Sequence, residues 1–158
     1  MSNTKRTSLT AVNTLRSRLQ RLIDEYLGEE PTGGPYPYPH ISVCVELGLL
    51  TEAEANMMLA GIEKGGTGRK WRLKKLTLLP IQFPNISYAD TMKFMSYKIQ
   101  ALLRDQMAYT DEQTNDDDYH AACIAQGNYF CVGQMLGVFT EEQEKDLLKS
   151  IKTYTKKE

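Results

Sequence analysis

One short pattern occurs twice in this 158-residue chain and constrains its fold more than any other feature. The first copy is Leu47-Gly48-Leu49-Leu50-Thr51-Glu52. The second is Leu136-Gly137-Val138-Phe139-Thr140-Glu141. Each copy reads as a corner between two helices. A glycine just past a helix end takes the left-handed conformation at the least steric cost. The threonine three residues on then caps the next helix, and Glu54 or Gln143 completes an S/T-x-x-E/Q capping box. The copies are offset by 89 residues (Gly48 to Gly137), and the same offset pairs Val43 with Val132, Leu59 with Leu148 and Ile62 with Ile151. Any helix–glycine–cap–helix join has this form, and two copies fall short of a repeat array. The pattern therefore predicts two αα-hairpins without requiring duplication.

The rest of the chain predicts an all-α protein of about seven helices in a single domain, 1–158, with a frayed stretch at 1–7. From Ser8, the apolar residues Leu9, Val12, Leu15, Leu19, Leu22, Ile23 and Tyr26 recur at spacings of three and four, forming one helix that stops at Gly28. Arg16, Arg18 and Arg21 fall off that stripe and read as a solvated face. Residues 29–39 alternate proline with tyrosine and read as an extended linker. Such a path either packs Tyr36 and Tyr38 on the core or offers them to a partner. Pro39 suits a first helical turn. The short helix after it, through Leu47, is apolar almost all round. A helix at 52–64 completes the first hairpin.

Ser87 with Asp90 caps a long helix to about residue 109. Helices from about 119 to 136 and from 141 to about 154 make the second hairpin. Gly127 and Gly133 lie inside a helix, where glycine costs about 1 kcal/mol against alanine, so they mark expected points of close approach. Leu73, Leu76 and Leu79 suggest one more short helix.

Charge narrows the function classes. The formal net charge is −1, so nothing global draws the chain to nucleic acid or an anionic membrane. No run of about 18 apolar residues exists, so no membrane span is expected. Three cysteines without a C-x-x-C point to a reducing compartment, and the expected location is the cytoplasm.

The local blocks are sharper. Residues 64–75 hold six basic residues, no acidic one, three glycines and the only tryptophan. Gly65, Gly66 and Gly68 let main-chain N–H groups approach an anion. Arg69, Lys70 and Arg72 supply charge, and Trp71 offers a stacking face for a base. The phosphate-loop signature G-x-x-x-x-G-K-[ST] is missing. A solubilising basic loop over a buried Trp71 accounts for the same letters.

Asp116, Asp117, Asp118 and His120 have the chemistry of a divalent-cation site but match no calcium loop, and a helix N-terminus attracts acids anyway. His120, Cys123 and Cys131 are too few for a zinc site and read as helix residues, so no metal and no cofactor are expected. No G-x-S-x-G or H-E-x-x-H occurs, and the chain is read as no enzyme.

Residues from about 40 to 104 resemble small uncharacterised proteins of bacterial viruses. The resemblance rests on Ile41-Ser42-Val43-Cys44, the first corner, Trp71-Arg72-Leu73 and the helix at 93–103. Where such proteins often carry a tryptophan in that helix, this chain has Tyr97. The resemblance implies host takeover or defence evasion, and it transfers no site residue. The first reading is thus a non-catalytic interaction protein that binds a host protein. The second is a binding module, or sponge, for a phosphate-bearing ligand at 64–75, with nucleic acid admitted but not favoured. Opposed charge blocks at 64–75 and 111–118, with seven methionines, add the expectation of a homo-oligomer, most simply a two-fold dimer.

Overall fold

The structure is a computed structural model, and it describes residues 6–28, 37–63 and 72–154. Six helices are formed there: α1 (Ser8–Gly28), α2 (Tyr38–Glu46), α3 (Glu52–Glu63), α4 (Tyr88–Glu112), α5 (Asp116–Leu136) and α6 (Glu141–Ser150). Among the described residues the only ladder-type pairing is an isolated antiparallel bridge between Thr7 and Ser87. The protein is all-α.

The chain divides into two compact units, Met1–Lys93 and Phe94–Glu158, and the boundary falls inside α4. In the first unit Val12, Leu15, Leu19 and Ile23 of the α1 stripe are buried, while Leu9, Leu22 and Tyr26 of the same stripe are half-buried. Ile41, Cys44 and Leu47 of α2, and Met58 and Ile62 of α3, join that core. In the second unit Met95, Ile99 and Leu103 of α4 and Val132 and Leu136 of α5 are buried.

The two corners form in the same way, hydrogen bond for hydrogen bond. Gly48 has φ +78° and Gly137 has φ +66°, and no other described residue has a positive φ. Gly48 N–H donates to Val45 (3.0 Å) and Leu49 N–H to Cys44 (2.9 Å). Gly137 N–H donates to Gln134 (3.0 Å) and Val138 N–H to Gly133 (3.2 Å). The caps repeat as well. Glu54 N–H donates to Thr51 Oγ1 (3.1 Å), and Thr51 N–H to Glu54 Oε1 (3.0 Å). Gln143 N–H donates to Thr140 Oγ1 (3.1 Å), and Thr140 N–H to Gln143 Oε1 (3.0 Å). Ser87 caps α4 by accepting from Asp90 N–H at 3.2 Å.

Three expectations are corrected. Residues 72–76 are extended rather than helical, and an irregular, turn-containing path follows to Ser87. Leu73, Leu76 and Leu79 are half-buried while their neighbours at 74, 75, 77 and 78 are exposed. A period of three fits an extended path of three residues per turn as well as it fits a helix. Gly127 marks no close approach, since a Cβ built there meets nothing within 4 Å. Gly133 does mark one, because a Cβ there would fall 2.0 Å from the Phe139 ring. Finally, Arg16 is no solvated side chain: it is buried at 3% exposure.

Candidate functional site

Arg16 is where the first unit is tied together. Its Nη1 donates to Glu54 Oε1 (2.9 Å) and to the Leu49 carbonyl (2.8 Å). Its Nη2 donates to Glu54 Oε2 and to the Lys74 carbonyl (3.0 Å). One planar guanidinium thus joins α1, the first corner, the N-terminal turn of α3 and the extended segment. This two-pronged geometry is available to arginine and not to lysine. The Arg16 hydrogen bond is the main cause that holds the Glu54 carboxyl below its usual range, against the opposing effect of burial.

Arg16 is one rung of a polar stripe on α1, at Asn13, Arg16, Gln20 and Asp24, running at helical spacing. The extended segment lies along it. The Asn13 amide reads both sides of one peptide position: Leu76 N–H donates to Asn13 Oδ1 (2.8 Å), and Asn13 Nδ2 donates to the Leu76 carbonyl (3.0 Å). Leu73 N–H donates to Gln20 Oε1 (3.0 Å). At the far end Arg72 pairs with Asp24 at 3.0 Å. Side chains of a helix thus take the N–H groups of Leu73 and Leu76 and the carbonyls of Lys74 and Leu76, in the place of a partner strand.

Between α1 and this strap lies a groove of about 730 Å³. Its α1 wall presents Thr10, Thr14, Ser17 and Arg21, and its strap wall presents Lys74 and Lys75. Among the described residues, four cationic ones line it, against the single carboxylate of Asp24. Asp24 is engaged by Arg72, and Arg16 by Glu54. Arg21, Lys74 and Lys75 are exposed and form no ion pair among the described residues. Hydroxyls, an amide and three uncommitted cations facing one groove suit an anion with many oxygen acceptors.

Of the residues expected to form a phosphate site, Gly65, Gly66, Gly68, Arg69, Lys70 and Trp71 lie outside the described residues. Arg72 is described, exposed and committed to Asp24. Tyr36 also lies outside the described residues, whereas Tyr38 opens α2 and is 51% exposed. Arg21 reads from the sequence as part of a solvated face, and Lys74 and Lys75 as part of the basic block at 64–75, whereas Asn13 and Gln20 carry no sequence expectation. The signal was there in part, as a second, polar stripe on α1.

The acidic cluster has a local explanation. Asn115 caps α5 by accepting from Asp117 N–H (2.9 Å), so Asp116, Asp117 and Asp118 occupy its first turn, where the helix dipole favours them. His120 packs edge-on against Tyr154, with centroids 4.3 Å apart. Among the described residues no three His, Cys, Asp or Glu side chains group as a metal site would. No described helix is long and apolar enough to cross a membrane. Compared with family models, curated proteins and solved structures, the chain matches none.

Proposed function

We propose that the protein is a non-catalytic binding module whose groove between α1 and the 72–76 strap takes a phosphate-bearing ligand. The observation that carries this reading is the set of three cations, Arg21, Lys74 and Lys75, uncommitted among the described residues, around one groove whose one described carboxylate, Asp24, is already paired. The basic glycine-rich stretch at 64–71 runs directly into the strap in sequence. Under the resemblance to proteins of bacterial viruses, such a module sequesters a nucleotide messenger of the host.

The test is direct binding of mono-, di- and cyclic nucleotides and of short single-stranded DNA, each across a range of salt. The triple charge reversal of Arg21, Lys74 and Lys75 to Glu should remove binding. Each lost phosphate contact should lower the slope of log affinity against log salt by about 1. Unchanged affinity in the triple variant would exclude the groove.

A second reading, occupation of a host protein's surface, is favoured by a different observation. Leu78 is 80% exposed and Ile81 fully exposed, on a tip that follows the strap. Host-protein capture that is lost on changing these two residues, and unaffected by the charge reversals, would select it.

A further inference from the structure

The α2–α3 hairpin carries a second groove, of about 350 Å³, and the α5–α6 hairpin carries its counterpart, of about 310 Å³. The counterpart is a counterpart in detail. Its six lining residues, Phe130, Gln134, Glu141, Glu144, Lys145 and Leu148, are those that the 89-residue offset pairs with Ile41, Val45, Glu52, Ala55, Asn56 and Leu59 of the first groove. The floors differ in chemistry. Ile41, Val45, Ala55 and Leu59 supply the apolar part of the first groove, beside Ser42 and Asn56. In the second, Gln134, Glu144 and Lys145 stand where Val45, Ala55 and Asn56 stand in the first. Exposed Tyr38 extends the apolar surface of the first groove, and Glu46 and Glu52 give it an acidic rim with no basic residue in its lining among the described residues.

The same unit displays a segment of complementary character. Exposed Lys74 and Lys75 precede an apolar tip at Leu78 and Ile81. The tip is held out by a built turn. Phe83 N–H donates to the Pro80 carbonyl (3.0 Å), and the Phe83 ring is buried. The ring and Gln82 lie so close to Gly48 that a Cβ there would meet Gln82 at 2.8 Å and Phe83 at 3.3 Å. Two large aliphatic side chains on a braced turn stay in water at a standing cost, which contact with another surface would relieve.

We infer that the 77–82 tip of one protomer docks in the α2–α3 groove of a second copy of this chain. Leu78 and Ile81 lie against Ile41, Val45, Ala55 and Leu59, and Lys74 and Lys75 face Glu46 and Glu52 at the rim. Because tip and groove belong to the same unit, each protomer both gives and receives, and the closed form of that exchange is a two-fold dimer. The α5–α6 groove, whose lining carries Lys145 where the first has Asn56, repels the basic strap, takes no part and serves as an internal control.

The experiment is sedimentation of the full chain at concentrations up to tens of micromolar, without any ligand, so its outcome is independent of the anion-binding reading. The wild-type chain should dimerise. Ile81→Asp, at a fully exposed position and therefore without effect on folding, should raise the dimer dissociation constant about a hundredfold, because both tips are lost at once. Tyr38→Asp, at the groove, should act in the same direction. Leu148→Asp, the control in the second groove, should leave the constant unchanged. Mixing the Ile81→Asp and Tyr38→Asp chains should restore a weaker one-to-one pair, since one intact tip meets one intact groove. A wild-type monomer at all concentrations would overturn the inference. So would an Ile81→Asp dimer of undiminished affinity, a Leu148→Asp chain that dissociates, or no recovery on mixing.

Discussion

Glu54 performs two tasks with one carboxylate: it closes the N-terminal turn of α3 through Thr51, and it takes both prongs of the buried Arg16 guanidinium. The cap is local and the ion pair spans from α1 to α3. The first corner is thereby fixed to the helix behind it, whereas Gln143, the equivalent residue in the second corner, carries no charge and makes the cap alone.

Removing Glu54 should therefore cost more than removing a cap. Glu54→Ala strips the box and leaves a buried cation with only carbonyl partners. It should destabilise the protein by about 3 kcal/mol, against about 1 kcal/mol for Gln143→Ala. Glu54→Gln keeps an acceptor for Thr51 and should fall between them. Denaturant midpoints of the three variants give the order directly, and equal losses for Glu54→Ala and Gln143→Ala would show that the pair with Arg16 contributes nothing.

The same pair sets an acid dependence. The folded state holds the Glu54 carboxyl below its usual value of 4.5, chiefly through the hydrogen bond from Arg16. A carboxylate depressed in the folded state binds its proton more readily when the chain unfolds. Its stabilisation is fully present above the ordinary glutamate range and is lost as pH falls through the folded value. The stability gap between the wild type and Glu54→Gln should thus be constant near neutrality and narrow on acidification. A gap that widens in acid would have the opposite sign.

The two glycines of α5 should respond to alanine in opposite directions. Gly127 has open space around its Cβ position, so Gly127→Ala should stabilise by about 0.4–1 kcal/mol through the unfolded chain. At Gly133 the added methyl meets the Phe139 ring, and overpacking should destabilise by about 1–3 kcal/mol. Pairing Gly133→Ala with Phe139→Leu should recover part of the loss. Thermal melts of these chains check all three outcomes.

The three thiols should separate in rate. Cys131 is exposed, whereas Cys44 is fully buried and burial pushes its thiol up to about 12. Cys44 is therefore protonated across the physiological range and shielded from reagents. Under native conditions a maleimide should label Cys131 first and Cys44 only after unfolding, as peptide mapping by mass would show.

What the sequence made legible was local. Gly48, Thr51 and Glu54 declare a corner within seven residues, and Gly137, Thr140 and Gln143 do the same, so both hairpins could be placed without any tertiary knowledge. Ser87 and Asp90 worked the same way for α4. Arg16 failed because its partners lie 33 to 58 residues away and two of them are carbonyl groups, which no side-chain pattern announces. The strap failed for a related reason. Its leucine spacing fits a helix, but the Leu73 and Leu76 N–H groups are taken by Gln20 and Asn13, partners 53 and 63 residues away that no local spacing announces. The groove followed from both, and could not be seen while Arg16 and residues 72–76 were misplaced.

The strap has one more property. Asn13, Arg16 and Gln20 touch only main-chain atoms of residues 73, 74 and 76. The register at 73–76 is thus written in α1 through main-chain contacts, to which the Arg72 side chain adds its pair with Asp24. Substitution at 74 and 75 can rewrite the chemistry of this face while its shape stays put, which makes the strap a display surface tolerant of rapid sequence drift. Only proline is barred, at 73 and 76, where the held N–H would disappear.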